Sequence, residues 1–180
     1  MGVMTRAADR DLIGIARAAA EGDEVAFGRI VSAYHDEMCR VCTYVAGDVE
    51  LAEDAVQSAW SIAWRKLDSL REPDRLRSWL MRVAVNETKR LLEKRSRRSR
   101  LEVTIDVSRV AGSVDPATGI DSIDLLAAVG RLAPEDRGLL AMRYVAGFDS
   151  SELASAIGLS PSGTRTRLER LLASLRQELE

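Results

Sequence analysis

The stretch that decides the fold is Asp54–Arg100, which reads DAVQSAWSIAWRKLDSLREPDRLRSWLMRVAVNETKRLLEKRSRRSR. It contains all three tryptophans of the chain, Trp60, Trp64 and Trp79. Its second part, residues 71–100, holds 11 lysines and arginines against 4 acidic residues, whereas the whole chain has 26 basic and 28 acidic residues. The rest of the chain is therefore acidic, with 15 basic against 24 acidic residues. One strongly basic segment in an acidic protein indicates a polyanionic partner.

The composition predicts an all-α protein. Apolar residues make up 46% of the chain, which is enough for a packed core, but aromatic residues make up only 4%. Abundant Ala, Leu, Arg and Glu favour helices over sheets. No window approaches roughly 18 uninterrupted apolar residues, and the N-terminus lacks a basic flank followed by an apolar segment. We therefore expect a cytoplasmic protein without membrane insertion.

Apolar periodicity predicts two small helical domains joined by an extended, flexible linker. The first domain covers residues 12–100, with its first helix starting near Leu12 and a loop around Pro73. Residues 101–121 alternate only weakly and end in Gly- and Pro-containing turns, and a lone strand there would have no partner. We interpret them as the linker. The second domain covers residues 122–180.

The end of the chain has the spacing of a helix-turn-helix, with a short helix at 150–157, a turn at Gly158–Ser160 and an arginine-rich helix at 161–179. The residues spaced to pack these helices together are Leu153, Ala154, Ile157, Leu159 and Leu168. This pattern favours DNA binding, and a solvated helical hairpin is the alternative.

The outer face of the last helix carries the side chains that fit a DNA groove. They are Arg165, Thr166, Glu169 and Arg170. Arginine pairs bidentately with guanine in the major groove, and glutamate accepts from the cytosine amino group. Backbone N–H groups near Ser162 and Gly163 suit a phosphate. Arg143, in the preceding helix, is placed to add a further backbone contact.

The basic helix that follows Pro73 is a second candidate for nucleic-acid binding. Trp79 and Asn86 lie on one side, two turns apart, with Arg82 and Lys89 around Asn86. Indole stacks on an unpaired base, and Asn hydrogen-bonds a base edge. The alternatives are a core tryptophan and a solvated helix end, but so much charge of one sign exceeds what capping needs.

His35, Cys39 and Cys42 stand at i, i+4 and i+7 of a predicted helix, the spacing of three ligands on one face. The alternative is that both cysteines pack as small core residues beside a surface histidine. No further His or Cys completes a closed zinc site, so we predict no metal, no other cofactor and no disulfide framework. No catalytic pattern appears either, and we predict neither an enzyme nor a small-molecule substrate.

Two sets of motifs occur in order along the chain. The first set is Gly22-Asp23-x₃-Phe27, Gly47-Asp48-x₄-Glu53-Asp54-x-Val56-Gln57, Ala63-Trp64-Arg65 and Trp79-Leu80-x-Arg82-Val83-Ala84-x-Asn86. The second set is Leu132-x-Pro134-Glu135-x-Arg137, Glu152-Leu153-Ala154-x₂-Ile157-Gly158-Leu159-Ser160 and Arg165-Thr166-Arg167-Leu168. The first resembles region 2, and the second region 4, of bacterial sigma factors of the extracytoplasmic-function (ECF) group.

The resemblance implies a region 2 helical bundle and a region 4 helix-turn-helix, which initiate transcription as part of RNA polymerase. The implied polymerase-binding residues are Asp54, Gln57, Trp60, Ile62, Trp64 and Arg65. The residues implied to recognise and melt the −10 element are Leu70, Arg71, Arg75, Arg77, Trp79, Arg82, Asn86, Lys89 and Arg90. The residues implied to read the −35 element are Arg143, Ser162, Arg165, Thr166, Glu169 and Arg170. The implied partners are core RNA polymerase, promoter DNA and an anti-sigma factor.

The sequence departs from the family pattern at two places. Gln57 is followed by Ser58, where the family usually has Gln-Glu, and the recognition helix contains Ser162-Gly163-Thr164, where Gly-Thr-Val is common. The alternative function is a free-standing helix-turn-helix transcriptional regulator. Such a regulator binds duplex DNA alone, whereas a sigma factor needs core polymerase, and it has no use for the tryptophan-containing basic stretch.

Overall fold

The computed structural model describes residues 4–101 and 120–179, and within these ranges the chain forms helices and turns but no strand. The helices are α1 (Met4–Ala20), α2 (Glu24–Ala46), α3 (Val49–Lys66), α4 (Leu76–Leu101), α5 (Ile120–Arg131), α6 (Pro134–Leu140), α7 (Ser150–Ile157) and α8 (Pro161–Leu179). Two 3₁₀ turns, Leu67–Ser69 and Pro73–Arg75, join α3 to α4, and a π-helical turn, Ala141–Val145, follows α6. The all-α prediction is confirmed.

Local sequence signals set both ends of α2 and the start of α3. The Asp23 carboxylate accepts from the backbone N–H groups of Val25 and Ala26 at 2.9 and 3.0 Å and so caps the start of α2. Gly47 ends α2 in the left-handed region, with φ of 66°, where a residue without a Cβ is favoured. The adjacent Asp48 then caps α3 by accepting from Leu51 N–H at 3.1 Å.

Helices α2, α3 and α4 form the core of the first domain, with α1 packed against α2. The side of α3 that faces them is lined by alanines. These are Ala52, Ala55, Ala59 and Ala63, each 0–1% exposed. Their spacing of three and four residues keeps them on one face, and their small size lets neighbouring helices approach closely. Larger side chains from α2 and α4, including Ile30, Met38 and Leu80, fill the remaining space.

The helix-turn-helix at the end of the chain forms as predicted. Asp149 and Glu152 make a capping box at the start of α7, in which each side chain accepts from the other's backbone N–H. Gly158, with φ of 73°, ends α7 and turns the chain into α8. Leu153 and Ala154 are buried between the helices, but Leu159 is 45% exposed because it lies in the turn itself. The predicted packing role of Leu159 is therefore wrong.

Two further boundaries differ from prediction. Helix α1 begins at Met4 rather than near Leu12, and α5 begins at Ile120, inside the predicted linker. The linker residues 102–119 lie outside the described residues. No helix among the described residues is long and apolar enough to cross a membrane.

The two domains pack against each other. Helix α7 lies on α4, while α6 and the π-helical turn lie on α2. The approach is close at Gly138, where a Cβ atom would come within 2.8 Å of Val85 Cγ1. A residue with a Cβ at this position would therefore require the Val85 side chain or the neighbouring helices to shift.

Candidate nucleic-acid interface

The residues predicted to bind −10 DNA surround a shallow cleft at the start of α4. The cleft has a volume of about 330 Å³ and is lined by Ser69, Leu70, Arg71, Glu72, Arg75, Trp79, Arg82 and Ser155. Its size is at the lower end of the range for ligand pockets. Five of the nine predicted −10 residues line it. A half-buried indole beside exposed arginines can stack on a base and bind phosphates.

Three of the other predicted −10 residues lie further along α4, namely Asn86, Lys89 and Arg90. Asn86 and Arg90 are exposed, and Arg90 donates to Glu87 at 2.9 Å. Closer to the cleft, Arg75 forms an ion pair with Glu72. Both acidic partners lie three residues away on the same segment, so these exposed pairs contribute little energy and can exchange for phosphate.

Arg77 differs, because its guanidinium is enclosed by groups from both domains. It donates to both carboxylate oxygens of Glu37, with Nη2 at 2.5 Å and Nε at 3.2 Å. Its Nη1 donates to Glu152 Oε1 at 2.7 Å, and Nη2 also donates to the Ala146 carbonyl oxygen. Its central carbon lies 4.2 Å above the centre of the Phe148 ring. Arg77 therefore uses four of its five N–H donors inside the protein, while its side chain stays 29% exposed.

The charges around Arg77 favour its protonated form. Burial acts to lower the pKa of Arg77, but the hydrogen bonds and charges of Glu37 and Glu152 outweigh it, so the pKa is raised above its ordinary value. A second cation, Lys89, lies 3.3 Å from Glu135 of α6. The pKa of Glu135 lies below its ordinary value because of a hydrogen bond from its own backbone N–H, reinforced by Lys89 and Arg167 against the effect of burial.

The predicted −35 residues on α8 form one exposed face. They are Ser162, Arg165, Thr166, Glu169 and Arg170. A cleft of about 800 Å³ runs along part of this face and is lined by Leu132, Asp136, Ser160, Ser162, Gly163, Thr166, Arg167, Arg170, Leu171 and Ser174. Arg167 at its edge is held by Asp136 at 2.7 Å. The outer face of the helix is thus open to a groove of duplex DNA.

Two predicted contacts near this face already have partners inside the protein. Arg143 Nη1 donates to the carbonyl oxygen of Phe148 at 2.6 Å and so stabilises the turn before α7. The backbone N–H of Gly163, predicted to suit a phosphate, donates to Ser160 Oγ at 3.1 Å. The start of α8 is therefore capped by its own preceding serine.

The predicted polymerase-binding residues lie along one side of α3. Asp54, Gln57, Trp64 and Arg65 are exposed, and Trp60 and Ile62 are half-buried. Helix α2 packs against α3 and contributes Phe27 to this side. The Phe27 ring meets both indoles edge-on, with ring centres 5.8 Å from Trp60 and 4.9 Å from Trp64. These contacts fix the two tryptophans while leaving their outer surfaces accessible.

His35 takes part in this support. Trp60 Nε1 donates to His35 Nδ1 at 3.2 Å, and Cys39 Sγ lies 3.6 Å from His35 Nε2. Because the indole N–H is only a donor, Nδ1 is the acceptor, and in neutral His35 the proton sits on Nε2 and points to the sulfur. Both ring nitrogens are engaged, and no metal-ligating cluster occurs among the described residues.

The two cysteines are packed rather than paired. Cys42 is fully buried, and burial raises its pKa to about 11, with a hydrogen bond between Cys42 and Thr88 opposing that rise. Cys39 is half-buried, and burial together with Asp36 and Glu53 raises the pKa of its thiol as well. Neither is a reactive thiolate at neutral pH.

Each of the two domains matches a known protein family. The family described as Sigma-70 region 2 matches residues 30–98, and Sigma-70, region 4 matches residues 122–175. The ECF RNA polymerase sigma factor SigW of Bacillus subtilis is 26% identical over 171 residues, which cover 88% of this chain and 91% of SigW. The chain belongs to the ECF group of sigma-70 factors.

Other relatives of this sigma factor agree in sequence and in fold. The probable RNA polymerase sigma factor RfaY of Xanthomonas campestris pv. campestris is 29% identical over 168 residues, covering 89% of this chain but only 42% of RfaY. CnrH is a sigma factor of Cupriavidus metallidurans. The structure of CnrH in complex with the cytosolic domain of CnrY superimposes with a TM-score of 0.68 and 27% identity, covering 93% of this chain and 96% of CnrH.

The sigma-factor regions coincide with the sites described above. The region 2 match contains the α3 side and the cleft at the start of α4, and the region 4 match contains the exposed face of α8. The assignment of single residues to DNA or polymerase stays a prediction. Sequence reasoning missed Glu37 and Glu152 as partners of Arg77. They lie 40 and 75 residues from Arg77, and no local pattern signals a pairing over such separations.

Proposed function

We propose that this sigma factor binds core RNA polymerase and directs promoter-specific initiation by reading the −35 element as duplex and the −10 element as melted DNA. The observation that carries the proposal is the ordered pair of sigma regions, the first with the basic segment and the second with an exposed recognition helix. It contributes binding, positioning and strand separation, without a catalytic step or a small-molecule substrate. Its place of action is the cytoplasm, where polymerase and promoter DNA are found.

Polymerase binding belongs to α3. Its exposed side combines two large indoles with the charges of Asp54 and Arg65, and aromatic residues surrounded by polar groups are typical of interface hot spots. The indoles are held by Phe27 and His35 before any partner arrives. Such preorganisation reduces the side-chain entropy lost on binding.

Melting of the −10 element belongs to the cleft at the start of α4. Strand separation costs unstacking energy, which base stacking and phosphate contacts on the single strand repay. Trp79 offers the stacking surface, Asn86 a base-edge partner, and Arg71, Arg82 and Arg90 the charge for phosphates. Phosphate contacts supply affinity and the few base contacts supply sequence preference.

Recognition of the −35 element belongs to α8. Arg165 and Arg170 project from the exposed face with Glu169 between them, a pattern suited to guanine and cytosine edges in the major groove. Dividing the contacts between two tethered domains makes neither sufficient alone, and polymerase fixes their spacing. The chain would therefore recognise promoters only as part of the holoenzyme.

An anti-sigma factor is the proposed regulatory partner. CnrH has been solved with the cytosolic domain of CnrY, and this chain shares the CnrH fold over 93% of its length. A partner that covers the α3 side or the DNA-binding faces would keep the factor from polymerase or promoters. Expression of the protein at a low level followed by affinity purification tests this proposal directly, because an anti-sigma factor should co-purify with it.

The deciding test is run-off transcription from a mixture of promoter templates with core polymerase, with and without this protein, at moderate salt. Specific transcripts that appear only with the protein are expected, and their start sites map the two elements. A template set in which each element is replaced in turn provides the control. Absence of transcripts together with tight duplex binding by the protein alone would overturn the proposal in favour of a free-standing regulator.

A further inference from the structure

The side of α3 that is proposed to bind polymerase contains an indole held by a histidine from the neighbouring helix. Trp60 Nε1 donates to His35 Nδ1 at 3.2 Å, and the two residues lie 25 positions apart in the chain. The hydrogen bond therefore joins α3 to α2. His35 is the single histidine of the chain, and because it is exposed, protons from solvent reach its ring directly.

Two contacts of different character orient the Trp60 ring. The Phe27 ring meets it edge-on at 90°, with ring centres 5.8 Å apart. Such a contact sets the tilt of the indole but is compatible with more than one rotation about the Cβ–Cγ bond. The hydrogen bond to His35 selects one of these rotations, because it fixes the direction of the indole N–H. A half-buried ring held in this way presents one defined outer surface to a partner.

The imidazole can hold Trp60 only while it is neutral. Nδ1 of the neutral ring accepts a hydrogen bond, whereas both nitrogens of an imidazolium carry protons and donate. The indole N–H is a donor in either case. Protonation of His35 would therefore set two N–H groups against each other over 3.2 Å, and the indole would turn away.

The groups on the other side of the imidazole allow the proton to bind. Cys39 Sγ lies 3.6 Å from Nε2, and sulfur accepts weakly from this N–H in both charge states of the ring. The charged groups that act on this sulfur are Asp36 and Arg40 of α2 and Glu53 of α3. Because two carboxylates face one guanidinium, the surroundings accommodate a positive ring. The change on protonation is thus concentrated at Nδ1 and its partner Trp60.

We propose that His35 is a positioning residue for polymerase binding, which in its neutral form fixes the Trp60 indole in the orientation that polymerase recognises. This role rests on the proposed function, since it requires that the α3 side bind polymerase. Histidine is the side chain whose charge ordinarily changes between about pH 5 and 8. Affinity for core polymerase is therefore highest above this range and falls as the pH falls through it.

Three variants separate the proton from the rest of the side chain. His35→Asn keeps an acceptor near the place of Nδ1, does not titrate, and has a helix propensity close to that of histidine. His35→Leu removes the acceptor, and Trp60→Phe keeps an aromatic ring but removes the donor. Ala33→Asn is the matched control, because it introduces the same new side chain at another exposed position of α2.

The free protein gives the first readout. Proton–nitrogen correlation spectra contain an indole signal for each of the three tryptophans, and the signal lost in Trp60→Phe is that of Trp60. We expect this signal to shift between about pH 8 and pH 5.5 in the wild type and in Ala33→Asn, but not in His35→Asn. The signal of Trp79, from the cleft at the start of α4, is the internal control. An equal shift of the Trp60 signal in His35→Asn would overturn the role of His35.

Affinity for core polymerase gives the second readout, by fluorescence anisotropy of the terminally labelled protein at the same two pH values. We expect the wild type to bind about threefold to tenfold more weakly at the lower pH, which corresponds to the loss of one hydrogen bond. His35→Asn should keep most of the affinity at pH 8 and lose less on acidification, whereas His35→Leu should already be weaker at pH 8. Because polymerase itself titrates, the ratio of variant to wild type at each pH is compared.

The results distinguish a failure of this role from a failure of the proposed function. If the wild type and His35→Asn lose affinity in parallel, or if His35→Leu binds like the wild type at pH 8, His35 does not position Trp60 for polymerase, although the protein still binds. Absence of binding to core polymerase by the wild type at pH 8 would remove the proposed function, and the role of His35 with it. Circular dichroism verifies that each variant keeps its helices, and the comparison of wild type with His35→Asn is decisive by itself.

Discussion

At the scale of single residues, Arg165 is where sequence preference for the −35 element is expected to be concentrated. It is exposed on the outer face of α8. We expect Arg165→Ala to cost about 1–3 kcal/mol of discrimination at one base position, because a bidentate contact to a base edge is lost. Holoenzyme affinity for promoters that differ at single −35 positions measures this cost. Arg176→Ala, an exposed change in the last turn of the same helix, is the control. Equal weakening on every promoter would instead make Arg165 a phosphate contact.

Cys42 predicts a pH dependence of stability. Its pKa is raised to about 11 in the folded state, above the ordinary value of 9.0, because the thiol is buried. Below pH 9 both states keep the thiol protonated, and this contribution to stability is complete. As the pH rises towards 11, the unfolded thiol ionises and the buried one does not, so the free energy of unfolding falls by about 2–3 kcal/mol.

Urea unfolding at a series of pH values for wild type and Cys42→Ala isolates this contribution. Other groups titrate in both proteins, so only the difference between the two curves reports Cys42. The variant loses a constant amount of packing energy at all pH values, but its stability should decline less steeply above pH 9. Parallel curves would show that the Cys42 thiol is not protected from ionisation by burial.

At the scale of elements, the alanine face of α3 sets how closely α2 and α4 approach. Ala59 is completely buried in it. We expect Ala59→Leu to lower the free energy of unfolding by about 1–3 kcal/mol, because the extra methyl groups force neighbouring side chains out of their preferred rotamers. Ser61→Leu adds a leucine at an exposed position of the same helix and should change stability much less. Comparable losses of stability in the two variants would mean that stability does not depend on small side chains at the packed face of α3.

The helices also differ from the interface between the domains in how far the sequence could predict them. Helices α7 and α8 form where expected because Gly158, Pro161 and the Asp149 cap act within one or two turns of chain. The interface between domains could not be predicted, because Arg77 finds Glu152 only after the whole fold has formed. Leu159 illustrates another limit, since its place in the turn is predicted correctly but its apolar side chain is exposed rather than packed between the helices.

The candidate site residues also divide into those that the sequence predicts and those whose contacts depend on the whole fold. Exposed positions on α8 follow directly from helical periodicity, and all five predicted there share one face. The DNA contact of Arg143 stays a prediction, and its Nη1 donates to the Phe148 carbonyl oxygen. The sequence could not predict this hydrogen bond, because the position of Phe148 depends on the π-helical turn that precedes it.

At the scale of the whole molecule, the surfaces proposed for polymerase and for −10 DNA differ in access. The α3 side is open, whereas Arg77 and Lys89 on α4 are paired with carboxylates from region 4. The proposed −10 face therefore keeps these ion pairs for as long as the two domains stay packed together.

The close contact at Gly138 gives a prediction about the packing of the two domains. We expect Gly138→Ala to leave the rate constant for association with core polymerase within about twofold of the wild type, because the exposed side of α3 that we propose binds polymerase takes no part in this contact. Stopped-flow energy transfer between labelled core and labelled sigma factor measures this step. Trp64→Ala, on the proposed polymerase-binding side, is the opposing control and should slow or weaken it. A large gain in the association rate with Gly138→Ala would mean that the packing of the two domains also limits polymerase binding.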